Sequence, residues 1–209
     1  MPLPDYYGTA NPTFDFGITK QLVASTYTRP SDATAYTAGD IIGNSLTAGQ
    51  VTPITFANAA RRTPDAAGAV KASGRIVSAR CVVAPASSVV IIAAFDFDLL
   101  IFRPGTSIPL AAAGYPADNA ALVLTAAAQK ELICIIPFVA TAWRSGAGSV
   151  SAGGATGRQK AVPSVVSPSR FDLSGLTSPN LVAVMQAKSA WTPGAVVNTF
   201  DFVLAVEND

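Results

Sequence analysis

Histidine is absent from the 209 residues of this sequence. Because histidine is the general base of Ser-His-Asp and Cys-His catalysis and the zinc ligand of HExxH sites, its absence excludes these sites. No lysine stands in a Ser-x-x-Lys arrangement that could supply another base. We therefore expect no enzyme activity, no catalytic residue, no cofactor and no metal site.

Charged residues are also scarce. They make up 13% of the chain, about half of the usual fraction, and the formal net charge is +1. The only basic doublet is Arg61-Arg62, whereas nucleic-acid-binding domains usually carry a clustered cationic surface. We expect no nucleic-acid partner. A weakly charged, apolar surface is typical of a protein that is covered by neighbouring proteins.

The sequence has two cysteines and no membrane signal. Cys81 and Cys134 lie far apart, each inside an apolar run, and no CxxC is present. We predict buried, unpaired thiols in a reducing compartment, with a disulfide as the alternative. The first seven residues lack the basic and apolar regions of a secretory signal, and no apolar stretch is long enough to span a bilayer. We expect a protein made in the cytosol, without a membrane partner.

Two features that could suggest chemistry have plainer interpretations. The Gly-rich stretch 145–157 predicts a flexible loop, and residues 154–160 do not match the GxxxxGK[ST] pattern of a phosphate-binding loop. Asp96 and Asp98 are two residues apart on a predicted strand, so both carboxylates face one side. Such a pair could bind calcium or hydrolyse glycosides, but we interpret it as the solvent-facing or interface side of a half-buried strand.

The tripeptide Phe-Asp-Phe occurs three times, at 14–16, 95–97 and 200–202, with a near variant at 171–173. Alternation along a strand places the two Phe rings on one face and the Asp on the other. The repeat could be a contact element. We favour the simpler interpretation, in which amphipathic strands share one pattern.

Alternating β-branched segments separated by turn residues predict an all-β fold. Strands are predicted at 18–27, 41–42, 51–56, 70–84, 89–102, 132–139, 181–187 and 199–206, with a short edge strand within 161–173. Segment 122–128 could be a strand or a helical turn. Pro53 suggests an edge position or a bulge, and Gly74 suggests a bulge. The strongest strand, 89–102, is expected at the centre of a sheet, and 132–139 is expected to be buried.

About eight strands with few helices favour a single-domain β-sandwich over residues 18–209, with a jelly roll preferred. Residues 1–17 are rich in proline, which restricts the chain to extended forms, so they predict an extended N-terminal arm. Its aromatic side chains are our candidate contacts with a partner protein: Tyr6, Tyr7, Phe14 and Phe16.

Residues 24–45 read ASTYTRPSDATAYTAGDIIGNS. This block resembles a family of tailed-bacteriophage virion structural proteins, which includes capsid decoration (cement)-like proteins and carries a similar FTRPADTTAYxxGDxxANS stretch. The likeness continues through 51–61, 74–80 and 200–207. The Ala-rich middle and the stretch 145–157 depart from it, so no contact residue is carried over there.

The resemblance implies a non-enzymatic structural protein of the virion that is made in the host cytoplasm. We expect a capsid decoration (cement) protein that binds the major capsid protein on the outer capsid surface. Analogy with other jelly-roll virion proteins suggests a homotrimer. The alternative is a receptor- or glycan-binding module of a tail or head fibre. A fibre module often has an exposed aromatic or acidic cleft and a repeat stalk, and the sequence shows no heptads or repeats, which favours decoration.

Overall fold

The computed structural model describes residues 19–60, 63–64, 70–85, 95–104, 115–145, 159–161, 169–176 and 178–209. The predicted arm at 1–17 and nearly all of the Gly-rich stretch 145–157 lie outside these residues. Strands dominate the described part of the chain, which confirms the all-β prediction. No helix within that part is long and apolar enough to cross a membrane.

The described part of the chain contains thirteen strands, one short α-helix and one 3-10 turn. The strands are β1 (Thr19–Arg29), β2 (Ile41–Ile42), β3 (Ile54–Phe56), β4 (Thr63–Pro64), β5 (Val70–Lys71), β6 (Ser73–Pro85), β7 (Phe97–Phe102), β8 (Leu132–Phe138), β9 (Trp143–Ser145), β10 (Gln159–Ala161), β11 (Ser169–Asp172), β12 (Leu181–Ala187) and β13 (Asn198–Asn208). The helices are α1 (Ala126–Glu131) and a 3-10 turn at Ala140–Ala142.

Most strands belong to two antiparallel sheets. The first sheet has the order β1-β13-β6-β10-β9, and β11 pairs with another part of β6. The second sheet has the order β2-β12-β7-β8. β3 also pairs with β12, at residues 181–183, whereas β2 pairs with residues 185–186. β4 and β5 form a separate two-stranded ribbon.

Four sets of strand pairs are nested along the chain, whereas the local pairs β4–β5 and β9–β10 stand outside this order. β1 pairs with β13, β2 and β3 pair with β12, β6 pairs with β11, and β7 pairs with β8. Pairing therefore proceeds from the two ends of the described chain inward. Successive pairs alternate between the first and the second sheet.

Inward-facing side chains of both sheets meet in one apolar core. The ring of Phe97, in the second sheet, lies 6.3 Å from that of Phe200 and 6.2 Å from that of Phe202, both in the first sheet. All three side chains are fully buried, and burying one large apolar side chain contributes roughly 1.5–3 kcal/mol. This core joins the two sheets.

A second, smaller cluster covers the outer face of the second sheet. There Leu100, Phe102 and Val184 pack under the segment 115–128. This segment contributes Tyr115 and, from α1, Ala128. β7 consequently has apolar neighbours on both faces, which explains why its sequence is apolar on both faces. β7 also lies between β12 and β8, so the prediction of a central position is confirmed for its described residues.

Several strand predictions match the structure closely. The predictions at 41–42 and 181–187 coincide with β2 and β12, and those at 18–27 and 199–206 fall on β1 and β13. The open choice at 122–128 is resolved by α1, which begins at Ala126. The Thr125 hydroxyl caps this helix by accepting a hydrogen bond from Ala128 N. The strand predicted at 51–56 is shorter, because β3 begins at Ile54 and Pro53 lies just before it rather than within it; β3 pairs only with β12 among the described strands.

Two strand predictions need correction. Within the strand predicted at 89–102, Phe95 and Asp96 precede β7, which begins at Phe97, and the Asp96 carboxylate accepts a hydrogen bond from Ala140 N at 2.5 Å. Residues 89–94 of that prediction lie outside the described part. β8 is an edge strand among the described residues rather than a buried one, and Ile135 within it is 51% exposed. Pro137 fits this position, because an edge strand needs no donor on its outer side.

The strand predicted at 70–84 is divided at Ala72 into β5 and β6, and Gly74 has a different role from the predicted bulge. The pairing register shifts further along, between Ala205 and Val206 of β13. A Cβ atom at Gly74 would lie 2.5 Å from the backbone oxygen of Glu207. Glycine is therefore required because two strands approach closely, not because the chain bulges.

Candidate functional site

Residues 24–45, which carry the family resemblance, include one member of a buried ion pair. The side chains of Arg29 and Asp118 are fully buried, with Nε 3.5 Å from Oδ2. The other Asp118 oxygen accepts hydrogen bonds from Tyr36 OH at 2.6 Å and from Gly43 N at 2.7 Å. Burial raises the pKa of Asp118, and the hydrogen bond from Tyr36 opposes this effect. Loss of one partner would leave the other charge buried without compensation.

The guanidinium of Arg29 is surrounded by partners. It donates hydrogen bonds to Tyr36 OH and to the backbone oxygens of Pro30 and Asp32. Its Cζ lies 5.2 Å from the ring centroid of Tyr36 and 5.7 Å from that of Trp191, within reach of cation–π attraction. The two rings stack on each other at 5.1 Å. This arrangement fixes the direction in which the chain leaves β1.

Two carboxylates of the block form local turns. Asp32 accepts hydrogen bonds from the backbone N and the hydroxyl of Thr34, which lowers the pKa of Asp32. Asp40 accepts the equivalent pair from Thr37, at 2.6 and 2.9 Å. Between them Gly39 adopts φ +99°, a conformation that favours glycine. The spacing of these residues is therefore turn chemistry rather than a ligand set.

The block connects the first sheet to the second. Tyr36 N donates to Trp191 O at 2.7 Å, and Gly39 N donates to Ala187 O at 2.8 Å. Sequence reasoning missed Asp118 and Trp191, because neither has a spacing relation to Arg29. The only signal at Asp118 was its place in a turn-rich loop, which does not indicate its partner.

A groove of about 640 Å³ lies beside this block. Residues 25–30, at the end of β1, line one side, and residues 52–55, around the start of β3, line the other. Successive side chains of a strand point to opposite faces, so a groove lined by consecutive residues must run along a strand edge. The groove therefore lies between an edge of the first sheet and an edge of the second.

The lining of this groove is polar but nearly uncharged. Hydroxyl side chains such as Thr26, Thr28 and Thr55 are exposed there. Asn44 and Thr52 bind each other, with Asn44 Nδ2 donating to the Thr52 hydroxyl at 2.7 Å. Arg29 contributes the one charged side chain, which is already paired. Such a lining suits backbone hydrogen bonding better than acid–base chemistry.

The two aspartates proposed as a possible carboxylate pair have structural partners. Asp96 accepts a hydrogen bond from Ala140 N, and the Asp98 carboxylate lies 3.6 Å from the Lys188 ammonium. Among the described residues, no group of three or more Cys, Asp or Glu side chains could hold a metal ion. Each carboxylate stabilises the end of the second sheet.

Two of the Phe-Asp-Phe tripeptides meet in the core. Phe95 lies 6.3 Å from Phe200, and Phe97 lies near both rings of 200–202. The variant at 171–173 also buries its two apolar side chains. These tripeptides pack apolar side chains into the core, and 200–202 lies in a strand as the simpler interpretation predicts, whereas Phe95 and Asp96 precede β7. The copy at 14–16 lies outside the described residues.

Both cysteines are free thiols. Cys81 is buried in the core, and burial raises its pKa. Cys134 is only partly buried, which corrects the prediction for this residue, and its pKa is raised to about 11 chiefly by burial. Its position on the edge strand β8 explains the remaining exposure.

The candidate contact residues Tyr6, Tyr7, Phe14 and Phe16 lie outside the described part of the chain. Every aromatic side chain from Tyr27 onward is buried. The predicted arm thus contains all the aromatic side chains that the described fold does not bury.

No protein-family model matches this chain, and no curated protein matches its sequence significantly. The likeness to phage virion proteins therefore rests on the residues of the block itself.

Proposed function

We propose that this chain is a non-enzymatic structural protein of a tailed-bacteriophage virion. In this proposal it is a capsid decoration (cement) protein, made in the host cytoplasm, that binds the major capsid protein and stabilises the head. It associates with itself as a homotrimer.

The observation that carries the proposal is the nested strand pairing. A jelly roll is an antiparallel ribbon that pairs from its ends inward and is wound so that successive pairs alternate between two sheets. The pairs β1–β13, β2/β3–β12, β6–β11 and β7–β8 follow this rule. This order supports a β-sandwich of the jelly-roll class, a fold that is common in viral capsid proteins. Fold alone does not fix function, so the resemblance of the block supplies the second support.

The distribution of aromatic side chains supports attachment through the arm. The described domain buries all of its aromatic residues, so its surface offers none to a partner. Tyrosine, tryptophan and arginine are enriched among the residues that contribute most to binding at protein interfaces. On this chain the aromatic side chains that the described domain does not bury are in residues 1–17, whose prolines limit the entropy lost on docking. We infer that the arm lies across a neighbouring subunit or the capsid shell.

A glycan- or receptor-binding module is the second candidate. The groove beside β1 favours it, because threonine and asparagine side chains that could bind sugar hydroxyls line the groove. The absence of an exposed aromatic ring in the described domain counts against it. Decoration explains more of the observations.

The test uses phage heads stripped of this protein and the full chain added back. We expect saturable binding that raises the temperature at which the heads release their DNA. The double variant Phe14→Ala/Phe16→Ala should bind at least about tenfold more weakly, since two large apolar contacts are lost.

The matched control is Leu46→Ala/Val123→Ala, which removes two exposed apolar side chains from the domain and should bind like the parent. Failure of the parent chain to bind heads, together with specific binding on a glycan array, would replace decoration with the fibre-module function.

A further inference from the structure

β1 has a long edge without a strand partner among the described residues. It spans 11 residues and pairs only with β13 there. The groove is lined by residues 25–30, so the backbone N–H and C=O groups on the other edge of this part of β1 face the groove and no described strand. An unpaired edge of this length is a template for another extended chain.

The other edge strands of the described part are protected. β2, β3, β9 and β11 have at most four residues, and β8 contains Pro137. In β1, by contrast, residues 21–28 contain no charge, proline or glycine, and Leu22 is 72% exposed. Natural proteins normally blunt such an edge with these devices, or cover it. The lack of protection indicates that β1 is covered.

The groove gives a second strand room to enter. Its walls are the edge of β1 and the start of β3, and β3 also has only one partner among the described strands. An extended segment in this groove could hydrogen-bond to the edge of β1 and still contact the second sheet. This arrangement is the strand-addition mode of peptide recognition.

The arm sequence fits such an edge. Its prolines are Pro2, Pro4 and Pro12, all at even positions. In a strand, successive N–H groups point to opposite edges, so all three prolines would leave the same edge without donors. Every residue at an odd position from Leu3 to Thr13 keeps its backbone N–H donor. A segment of this pattern can pair along one edge only.

The arm of a second copy is the occupant that the chain best provides. Extended, 17 residues reach roughly 55 Å, which exceeds the length of β1. A hairpin back onto its own β1 would need a tight turn within 14–18, where the sequence Phe-Asp-Phe-Gly-Ile lacks an Asn-Gly or Asp-Gly dipeptide. We propose that the free edge of β1 is a strand-addition site that receives residues 3–13 of a neighbouring copy. This inference rests on the proposed self-association and not on binding to the capsid.

The experiment compares two neighbouring proline substitutions in the full chain without phage heads. Thr9→Pro removes a donor that would face β1, whereas Ala10→Pro removes one on the opposite edge. Sedimentation equilibrium should show that Thr9→Pro raises the self-dissociation constant by at least about tenfold, and that Ala10→Pro changes it by less than about twofold.

Amide hydrogen exchange on the same proteins locates the site. In the parent and in Ala10→Pro, alternate amides of β1 should be protected beyond those that bond to β13; in Thr9→Pro that extra protection should be lost while β13 is unchanged. Equal effects of the two substitutions, unchanged exchange in β1, or a parent chain that is monomeric at micromolar concentration would each overturn the inference. A parent that self-associates this way but does not bind heads would overturn decoration alone.

Discussion

The two sheets differ in how their outer faces are covered. On the second sheet the chain folds its own segment, including α1, over Leu100 and Phe102. On the first sheet the outward side chains of β1 include Leu22, Ala24 and Thr26, and all three are exposed. The second sheet is thus covered by its own chain, whereas no described segment covers the outer face of β1 or pairs with its free edge. The comparison suggests that the second sheet serves stability and the first serves association.

The largest expected effect lies at the junction between the two sheets. Asp118→Ala should lower the free energy of unfolding by about 3–5 kcal/mol, because it leaves Arg29 charged and buried without its partner. Denaturant unfolding monitored by tryptophan fluorescence measures this change.

Asp32→Ala is the control, because Asp32 is only partly buried and its carboxylate bonds locally to Thr34; it should cost less than about 1 kcal/mol. The double variant Arg29→Met/Asp118→Leu should recover part of the loss, because replacing both charges removes the unpaired one. Equal costs for Asp118→Ala and Asp32→Ala would show that the pair does not join the sheets energetically.

The same substitution on the outer faces of the two sheets sharpens the comparison. Leu100→Ala should cost about 2–5 kcal/mol, because Leu100 is 2% exposed under the covering segment. Leu22→Ala should change stability by less than about 0.5 kcal/mol, because Leu22 is 72% exposed. Thermal unfolding of both variants at low protein concentration gives the two values.

A large cost for Leu22→Ala under these conditions would mean that the first sheet is covered within one chain. It would then contradict the difference between the sheets and weaken the case for an open edge.

The sequence predicts the bounds of the strands better than it predicts which strands lie next to each other in a sheet. The predicted bounds match those of β2 and β12 and differ from those of β13 by at most two residues. β13 alternates between buried and partly exposed side chains, whereas β2 and β12 are apolar on both faces and were located by their short apolar runs between turns. Periodicity is a local property, and it cannot tell an edge strand from a central one. The apolar run at 132–139 was therefore expected to be buried, although β8 lies at an edge.

The junction between the sheets could be predicted only in part. The block at 24–45 stands out in the sequence because its residues resemble a known pattern, and its turns follow from the spacing of Asp and Gly. The partner of Arg29 is 89 residues away, in a loop with no periodic signal. Long-range pairing depends on the topology of the whole sheet, which local patterns do not contain.

The last prediction concerns the rates at which the two thiols are labelled, which can be measured without changing the stability of the protein. Cys81 faces the core between the sheets, whereas Cys134 lies on the edge strand of the second sheet and is partly exposed. A thiol reagent reacts with the thiolate, so Cys134, with a pKa of about 11, should label slowly at pH 8 and about tenfold faster for each unit up to pH 10. Cys81 should label only after unfolding, because it is fully buried where no reagent reaches it and burial raises its pKa. Mass spectrometry of labelled peptides separates the two sites, and Cys134→Ser is the control that removes the native reaction. Denatured protein should show both thiols without reductant. A need for reductant would reveal a disulfide, and labelling of Cys81 before Cys134 would show that the core between the sheets opens more readily than the edge.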